Sequence, residues 1–442
     1  MGSSTPASGG LAAFAFRSFR RYQYARVAAI IGAEAQAVAV AWQVYSMTHR
    51  AIDLGYTGLA LFLPGLLFLL PAGHVADKFD RRRVILICYS LQCLATIALL
   101  LVALTHHGNV LTIYAILFLI GSGRAFSGPA STAFLPQIIP QEHFVNAVTW
   151  GAATFQIANV AGPAIGGVLF TLPLTWLAKP IASLEGPAIV YCFTLITLLW
   201  FLVLISLLHV MPGQLERREL SARVLFAGFE YVRRTPILLG SLSLDLFVVL
   251  LGGAVALMPI FAQDILHTGP RGLGMLRAAP AIGALAVSLF LAIKPIRNKA
   301  GLRLFLAVML FGAATVLFGL SRSLWLSILT LAIAGAADMV SVIIRGSLIQ
   351  LATPQFIRGR VSAVNSLFIG ASNEFGEFES GLTAQWWGAV RATIIGGIGS
   401  LIVAGTWAIF FPALRKTNEL TAAAFEQHIH HHEQKNDRRK GF

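Results

Sequence analysis

Residues 73–83 read Gly73-His74-Val75-Ala76-Asp77-Lys78-Phe79-Asp80-Arg81-Arg82-Arg83. Six of these eleven residues are charged, in a chain whose overall charged content is only 12%. On either side lie long apolar runs, 53–75 and 82–104. Each is long enough to cross a bilayer core, which needs about 20 mostly apolar residues. The stretch therefore reads as a short basic turn joining two antiparallel membrane helices.

Working outward, the same pattern repeats. Apolar stretches lie at about 22–48, 53–75, 82–104, 109–134, 144–170, 186–210, 237–264, 271–294, 301–321, 324–351, 360–386 and 392–414. The 442 residues are 57% hydrophobic, with a mean hydropathy of +0.75. A soluble domain carries about 25% charged residues, so a soluble protein is excluded. The expected fold is an all-α integral membrane protein with twelve transmembrane helices. The 41 glycines and 18 prolines suit helices that pack closely and bend. The first apolar run has no small-residue cleavage site behind it, so it reads as a span and not as a signal peptide.

The net charge of +14 has a topological reading. Twenty-five of the 33 Lys and Arg fall at one side of the twelve stretches, and the opposite side keeps only Arg50, Lys179, Arg271, Arg322 and Arg391. Cytoplasmic loops carry the excess of Lys and Arg, so both termini are expected in the cytoplasm. A nucleic-acid partner is not expected, because so little polar surface could carry it. Cys88, Cys93 and Cys192 sit in apolar runs with no ligand or disulfide spacing and read as small buried hydrophobes.

Residues 211–236 form the longest polar stretch between spans. Leu220, Val224, Phe226, Ala227, Phe229 and Tyr231 fall on one helical face, and Arg and Glu on the other. This predicts an amphipathic interfacial helix between two halves: 1–210, a first six-helix bundle, and 237–414, a second, followed by a tail at 415–442. A shift of 214 residues superposes Gly121 on Gly335, Pro140 on Pro354, Asn159 on Asn373, Gly162 on Gly376 and Gly167 on Gly381. Two parallel six-helix repeats imply a transporter with a cavity between them.

Several motifs now combine into a resemblance. Gly73, Asp77, Lys78, Arg81 and Arg82 match the signature G-x-x-x-D-(R/K)-x-G-(R/K)-(R/K) of the major facilitator superfamily, with Asp80 where the signature has Gly. Gly162-Pro163-Ala164-Ile165-Gly166-Gly167 resembles the G-P-x-x-G-G core found in its proton antiporters, although Thr149 and Ala158 stand where the longer form has glycines. AGFEYVRRTP (227–236) and ATPQFIRGRV (352–361) are similar to the branch containing enterobactin exporters and macrolide-efflux proteins. The resemblance spans the chain. It implies two pseudosymmetric bundles around a central cavity, a bacterial inner-membrane location and, as a gate, an Asp77 carboxylate facing the positive N-terminal end of span eleven near Gly359.

Charge inside a membrane is costly and marks function by default. Six carboxylates fall within the spans: Glu34, Asp245, Asp338, Glu374, Glu377 and Glu379. Three guanidinium groups accompany them: Arg124, Arg277 and Arg345. The excess of acids leaves some without a partner, and burial favours a protonated carboxyl. Glu374 and Glu377, at i and i+3, share one face, so joint ionisation is resisted. Asp245 has no partner in its own helix. Asp338 and Arg345 share a face of span ten, and pseudosymmetry suggests an Arg124–Asp338 attraction. The proton-coupling and cavity candidates are Glu34, Arg124, Asp245, Asp338, Arg345, Glu374 and Glu377. Arg277 reads as reaching the interface. Trp42, Phe126, Phe247, Phe261 and Phe368 are candidate cavity walls.

The expected function is proton-coupled export of a medium-sized organic solute, siderophore-like or drug-like, by a monomer. The alternative is a lipid or lysophospholipid carrier of the same fold. No zinc-protease, nucleophile-elbow or phosphate-loop motif supports an enzyme. No cofactor and no resident metal are expected. His428, His430, His431 and His432 read as part of a polar tail.

Overall fold

The computed structural model describes residues 11–105, 108–172, 186–208, 222–296 and 298–418. Most of them are helical, and no strand occurs among them. The helices, in chain order, are α1 (Arg17–Thr48), α2 (Ala51–Leu67), α3 (Leu69–Lys78), α4 (Arg81–Thr105), α5 (Val110–Phe134), α6 (Phe144–Phe170) and α7 (Pro187–Ser206) in the first half. The second half begins with α8 (Ala222–Arg234) and continues with α9 (Pro236–Leu251), α10 (Ala254–Ile260), α11 (Gly269–Ile293), α12 (Ala300–Leu320), α13 (Leu324–Ala352), α14 (Gln355–Trp387), α15 (Ala389–Phe410) and α16 (Pro412–Arg415).

Among the described residues every stretch expected to span is helical, with a break at Gly252 and Gly253 in the seventh. Among the described residues ten helical stretches are long and apolar enough to cross a membrane, and the pair α2/α3, bent by 56°, makes eleven. The bend falls at Phe68, between Pro64 and Pro71, and proline is the usual cause of a sharp kink. The count stops short of twelve at α14. That helix is 33 residues long but carries Arg358, Arg360, Glu374, Glu377 and Glu379. The final span ends at Phe410, ahead of the 414 expected, because Pro412 starts a separate turn. Residues 211–221 of the expected linker and 419–442 of the tail, with its histidines, lie outside the described residues.

The predicted repeat has a direct structural counterpart, because glycines related by the 214 shift make equivalent contacts. A Cβ on Gly121 would meet the carbonyl of Leu61 on α2 at 2.3 Å, and one on Gly335 would meet that of Pro280 on α11 at 2.1 Å. Gly162 presses on Ile31 and Glu34 of α1, and Gly376 on Val249 and Leu250 of α9. Gly167 meets Pro270 and Gly274 of α11, while Gly381 meets Ala51 and Gly55 of α2. In hydrocarbon, helices associate by close packing of small residues, since lipid offers no competing hydrophobic drive. The glycines therefore set which helices meet.

One face, here the terminal face, gathers the described chain ends and the basic turns. Arg21 donates to Leu207 O at 3.0 Å, Ala13 N to Asn146 Oδ1 at 3.0 Å, and Gly301 N to Thr417 O at 2.9 Å. Helix α8 lies along this face. Gly228 backs onto the carbonyl of Arg360, Tyr231 donates to Ala352 O at 2.9 Å, and Phe226 stays exposed.

Candidate functional site

A cavity of about 360 Å³ lies between the halves. The first half contributes Glu34, Thr57, Gly58, Arg124 and Asn159. The second contributes Met258, Arg277, Glu374 and Glu377. Of the seven predicted coupling residues, four are here: Glu34, Arg124, Glu374 and Glu377. Glu374 and Glu377 share a face because they stand one helical turn apart. Both carboxylates converge over Gly58: a Cβ placed there would lie 2.9 Å from Glu374 Oε2 and 2.9 Å from Glu377 Oε2. The two oxygens are thus no farther apart than twice that distance. Glu34 is held from behind by Gly162, whose Cβ would sit 2.4 Å from Glu34 Cβ. Any larger residue at 162 would displace the carboxylate, so this glycine of the antiporter-type motif has a concrete task at the site.

The other three candidates lie elsewhere. Asp245 and Arg345 form an ion pair between α9 and α13, with side chains 9% and 3% exposed. On the same two helices Leu244, Val248, Ile344 and Leu348 belong to the second half's hydrophobic core. Asp338, half-buried on α13, is not part of the cavity lining and makes no ion pair or hydrogen bond among the described residues. The Arg124–Asp338 attraction is therefore absent from this conformation. Arg124 faces the cavity, while Arg345 takes Asp245.

Two expectations are corrected. Arg277 does not run out to the interface; it lines the cavity, with its Nε buried and unpartnered. None of the five candidate aromatics lines the cavity either. Phe261 is fully buried against Phe318 with ring centroids 4.4 Å apart. Phe247 packs on Trp407, Phe126 on Phe68, Trp42 on Phe170 and Phe368 on Phe229. The walls are aliphatic instead, from Val40, Leu61, Leu117, Ile120 and Val255.

Away from the terminal face the halves close on each other. At that far end α6 crosses α11 where Gly167 meets Gly274, and Arg271 donates to Thr171 Oγ1. Gly55 and Gly381 bring α2 against α14. Tyr45 of α1 donates to the Asp264 carboxylate. Asp264 sits in a π turn, Phe261–Ile265, where Leu266 N bonds Phe261 O at 2.8 Å. The extra residue in the turn re-aims the side chains, a common use of π geometry. Neither Tyr45 nor Asp264 stood out in the sequence, because a Tyr and an Asp near helix ends are ordinary at a membrane surface.

Toward the terminal face the contact thins out. The last aromatic pair across the halves is Phe62–Phe375, with centroids 5.8 Å apart. Beyond it, a Cβ on Gly359 would meet nothing within 4 Å, and Asp77 makes no ion pair among the described residues. The expected Asp77 latch is unmade in this conformation. Its neighbours are occupied within the first half. Arg81 donates to Ala133 O at 3.0 Å. Arg82 donates to Ile205 O at 3.1 Å and also to Ser206 O. Those carbonyls end α5 and α7, where cations are favoured. Asp80, the departure from the signature, caps α4: its Oδ1 accepts from Arg82 N at 2.8 Å and Arg83 N at 3.2 Å. Gly73 is buried in α3.

Comparison with known proteins agrees with this architecture. Residues 8–441 match the family model described as transmembrane secretion effector. The chain is 27% identical over 390 residues to the enterobactin exporter EntS of Shigella boydii serotype 18, covering 87% of this chain and 86% of that protein. The same figures hold for EntS of Escherichia coli O81. Among solved structures, a bacterial homologue of the human lysosomal transporter Spinster aligns with a TM-score of 0.70 at 16% identity, covering 89% of this chain and 96% of that one. A bacterial homologue of the iron transporter ferroportin aligns at 0.64 and 13% identity, covering 89% and 98%. The chain is a multi-pass membrane transporter, not an enzyme, and belongs to the transmembrane secretion effector family of the major facilitator superfamily.

Proposed function

We propose that this transporter exports a medium-sized organic solute, siderophore-like or drug-like, across the bacterial inner membrane in exchange for protons. The observation that carries the reading is the convergence of Glu374 and Glu377 of the second half on Gly58 of the first. Two ionised carboxylates in a low-dielectric cleft repel each other strongly. Ionised, Glu377 also repels Glu34 of the first half, and this like-charge repulsion across the cleft favours parting of the halves at the far end. A proton arriving from the far side neutralises one carboxylate and lets the helices close, which gives the conformation described here. Solute entering from the terminal face then displaces the proton. The positive-inside pattern makes that face cytoplasmic, so protons would move in and solute out. The likeness to enterobactin exporters supports the siderophore-like class.

The test is flux in proteoliposomes carrying the full chain. Siderophore flux should rise with an imposed pH gradient, and whatever flux remains in the E374Q/E377Q variant should no longer respond to the gradient. Wild-type flux that survives collapse of the proton gradient would refute antiport. Unchanged siderophore secretion by a deletion strain would refute the substrate class.

A further inference from the structure

Five charged side chains face one another across the cavity without closing into pairs. Glu374 lies within electrostatic reach of Glu377, Arg124 and Arg277, and Glu377 within reach of Arg277 and Glu34. The ion pairs among the described residues are Arg50–Asp53, Arg234–Glu230 and Arg345–Asp245. None of them is in the cavity, so no guanidinium nitrogen there comes within 4.0 Å of a carboxylate oxygen. Two further polar atoms on the lining, Arg277 Nε and Asn159 Oδ1, are buried and have no hydrogen-bond partner.

Arg124 is exposed and Glu34, Arg277, Glu374 and Glu377 are half-buried; when the cleft closes on a solute they lose water, and charges so shielded are costly unless paired and hydrogen-bonded. The cavity is therefore a set of unmet partners of both signs. Each sign comes from both halves: Glu34 and Arg124 from the first, Glu374, Glu377 and Arg277 from the second. A proton answers a carboxylate and does nothing for a guanidinium. A cationic solute leaves Arg124 and Arg277 unmet, and an anionic one leaves the carboxylates unmet. A solute bearing both signs meets all of them, and it touches both halves at once. The aliphatic walls, with Leu61, Leu117 and Val255 among them, suit an apolar body beside this charged cluster.

We infer that the transported solute is an amphipathic zwitterion. Its protonated amine sits on Glu374 and Glu377 above Gly58, and its carboxylate lies between Arg124 and Arg277, with Asn159 as a further polar contact. This rests on the exporter reading above and sharpens its substrate class.

The test uses matched triples of probes on the full chain in nanodiscs. One triple is phenylalanyl-phenylalanine (zwitterion), its methyl ester (cation only) and its N-acetyl derivative (anion only). A second triple has the same three forms of an aminoalkyl aryl carboxylic acid. Binding by thermal shift and by calorimetry should favour the zwitterion over both derivatives by about tenfold or more, since each charge-assisted contact is worth at least that. R277Q should abolish the advantage over the ester, and E374Q/E377Q the advantage over the N-acetyl form. These ratios are read within one preparation, so a partly unfolded variant still reports them. Equal binding across the triples, preference for a singly charged member, or no binding by any member overturns the inference. The exporter reading fails separately. A singly charged member driven out by a pH gradient would overturn the zwitterion and leave export standing. Zwitterion-selective binding with no gradient-driven flux would do the reverse.

Discussion

The crossing of Gly167 and Gly274 is the tightest test of how the far end closes. A Cβ on Gly167 would lie 2.8 Å from the carbonyl oxygen of Pro270 and 2.9 Å from Gly274 Cα. Comfortable carbon contacts are about 3.5–4.0 Å, so in Gly167→Ala the helices α6 and α11 must part by roughly 1 Å. The atoms in the way are backbone, which cannot rotate aside. Overpacking of this kind costs about 1–3 kcal/mol. The cost falls on the far-closed conformation, in which these helices touch. The ratio of far-open to far-closed protein should therefore rise by about 5- to 150-fold. The assay places a cysteine at Ala37, on the cavity wall, in a chain freed of Cys88, Cys93 and Cys192. A membrane-impermeant thiol reagent is then supplied only from the far face. Labelling of the Gly167→Ala form should accelerate by that factor, and Gly274→Ala, whose Cβ would sit 2.6 Å from Pro163 O, should act in the same direction. The two together should fall short of additive, because both methyl groups fill one crossing. Gly405→Ala serves as a control, since a Cβ there meets nothing within 4 Å. An unchanged or slower labelling rate in Gly167→Ala would refute the claim that this crossing holds the far end shut.

Tyr45→Phe removes the hydrogen bond from α1 to Asp264. A bond to a charged acceptor is worth about 1.5–3 kcal/mol, so the same labelling at position 37 should quicken; no change would show that the contact is incidental. Asp245→Asn or Arg345→Met alone strands a buried charge, at a cost of about 3–5 kcal/mol, and should lower the melting temperature of the purified protein markedly. The double change Asp245→Leu with Arg345→Met should recover much of that loss, and a double variant as unstable as the two losses combined would show that the pair is not coupled. Asp80→Ala should cost about 0.5–2 kcal/mol through loss of the α4 cap, while Asp80→Gly, which restores the superfamily residue, should cost only a few tenths. Equal melting temperatures for the two variants would rule out capping as the task of Asp80.

The parts of the site that could be read from the sequence are those set within one helix. Glu374 and Glu377 share a face because of helical periodicity alone, and they do meet at the cavity. Glu34 could be singled out because a carboxylate deep in an apolar run has few other reasons to be there. Arg277 was misplaced because depth along a helix says nothing about which way the helix is turned. The aromatic candidates failed for a related reason. In a soluble protein an apolar stripe marks the inward face, but in lipid both faces are apolar. A phenylalanine on such a helix carries no sign of whether it meets lipid, a neighbour or the cavity.

That the chain crosses a membrane as helices follows from its apolar runs, since each backbone polar group in hydrocarbon must be paired within its own segment. The repeat of 214, the basic face and the excess of carboxylates over guanidinium groups within the spans are equally legible in the linear chain. Which charges meet is a matter of how the helices pack. Packing joins Asp245 to Arg345, leaves Asp338 apart, and turns Arg124 and Arg277 toward one cavity with Glu34, Glu374 and Glu377. The rotation of each helix about its axis is set by where glycine lets a neighbour's backbone approach, as at Gly55, Gly162 and Gly167. That information lies in pairs of helices far apart in the chain, and no single segment contains it.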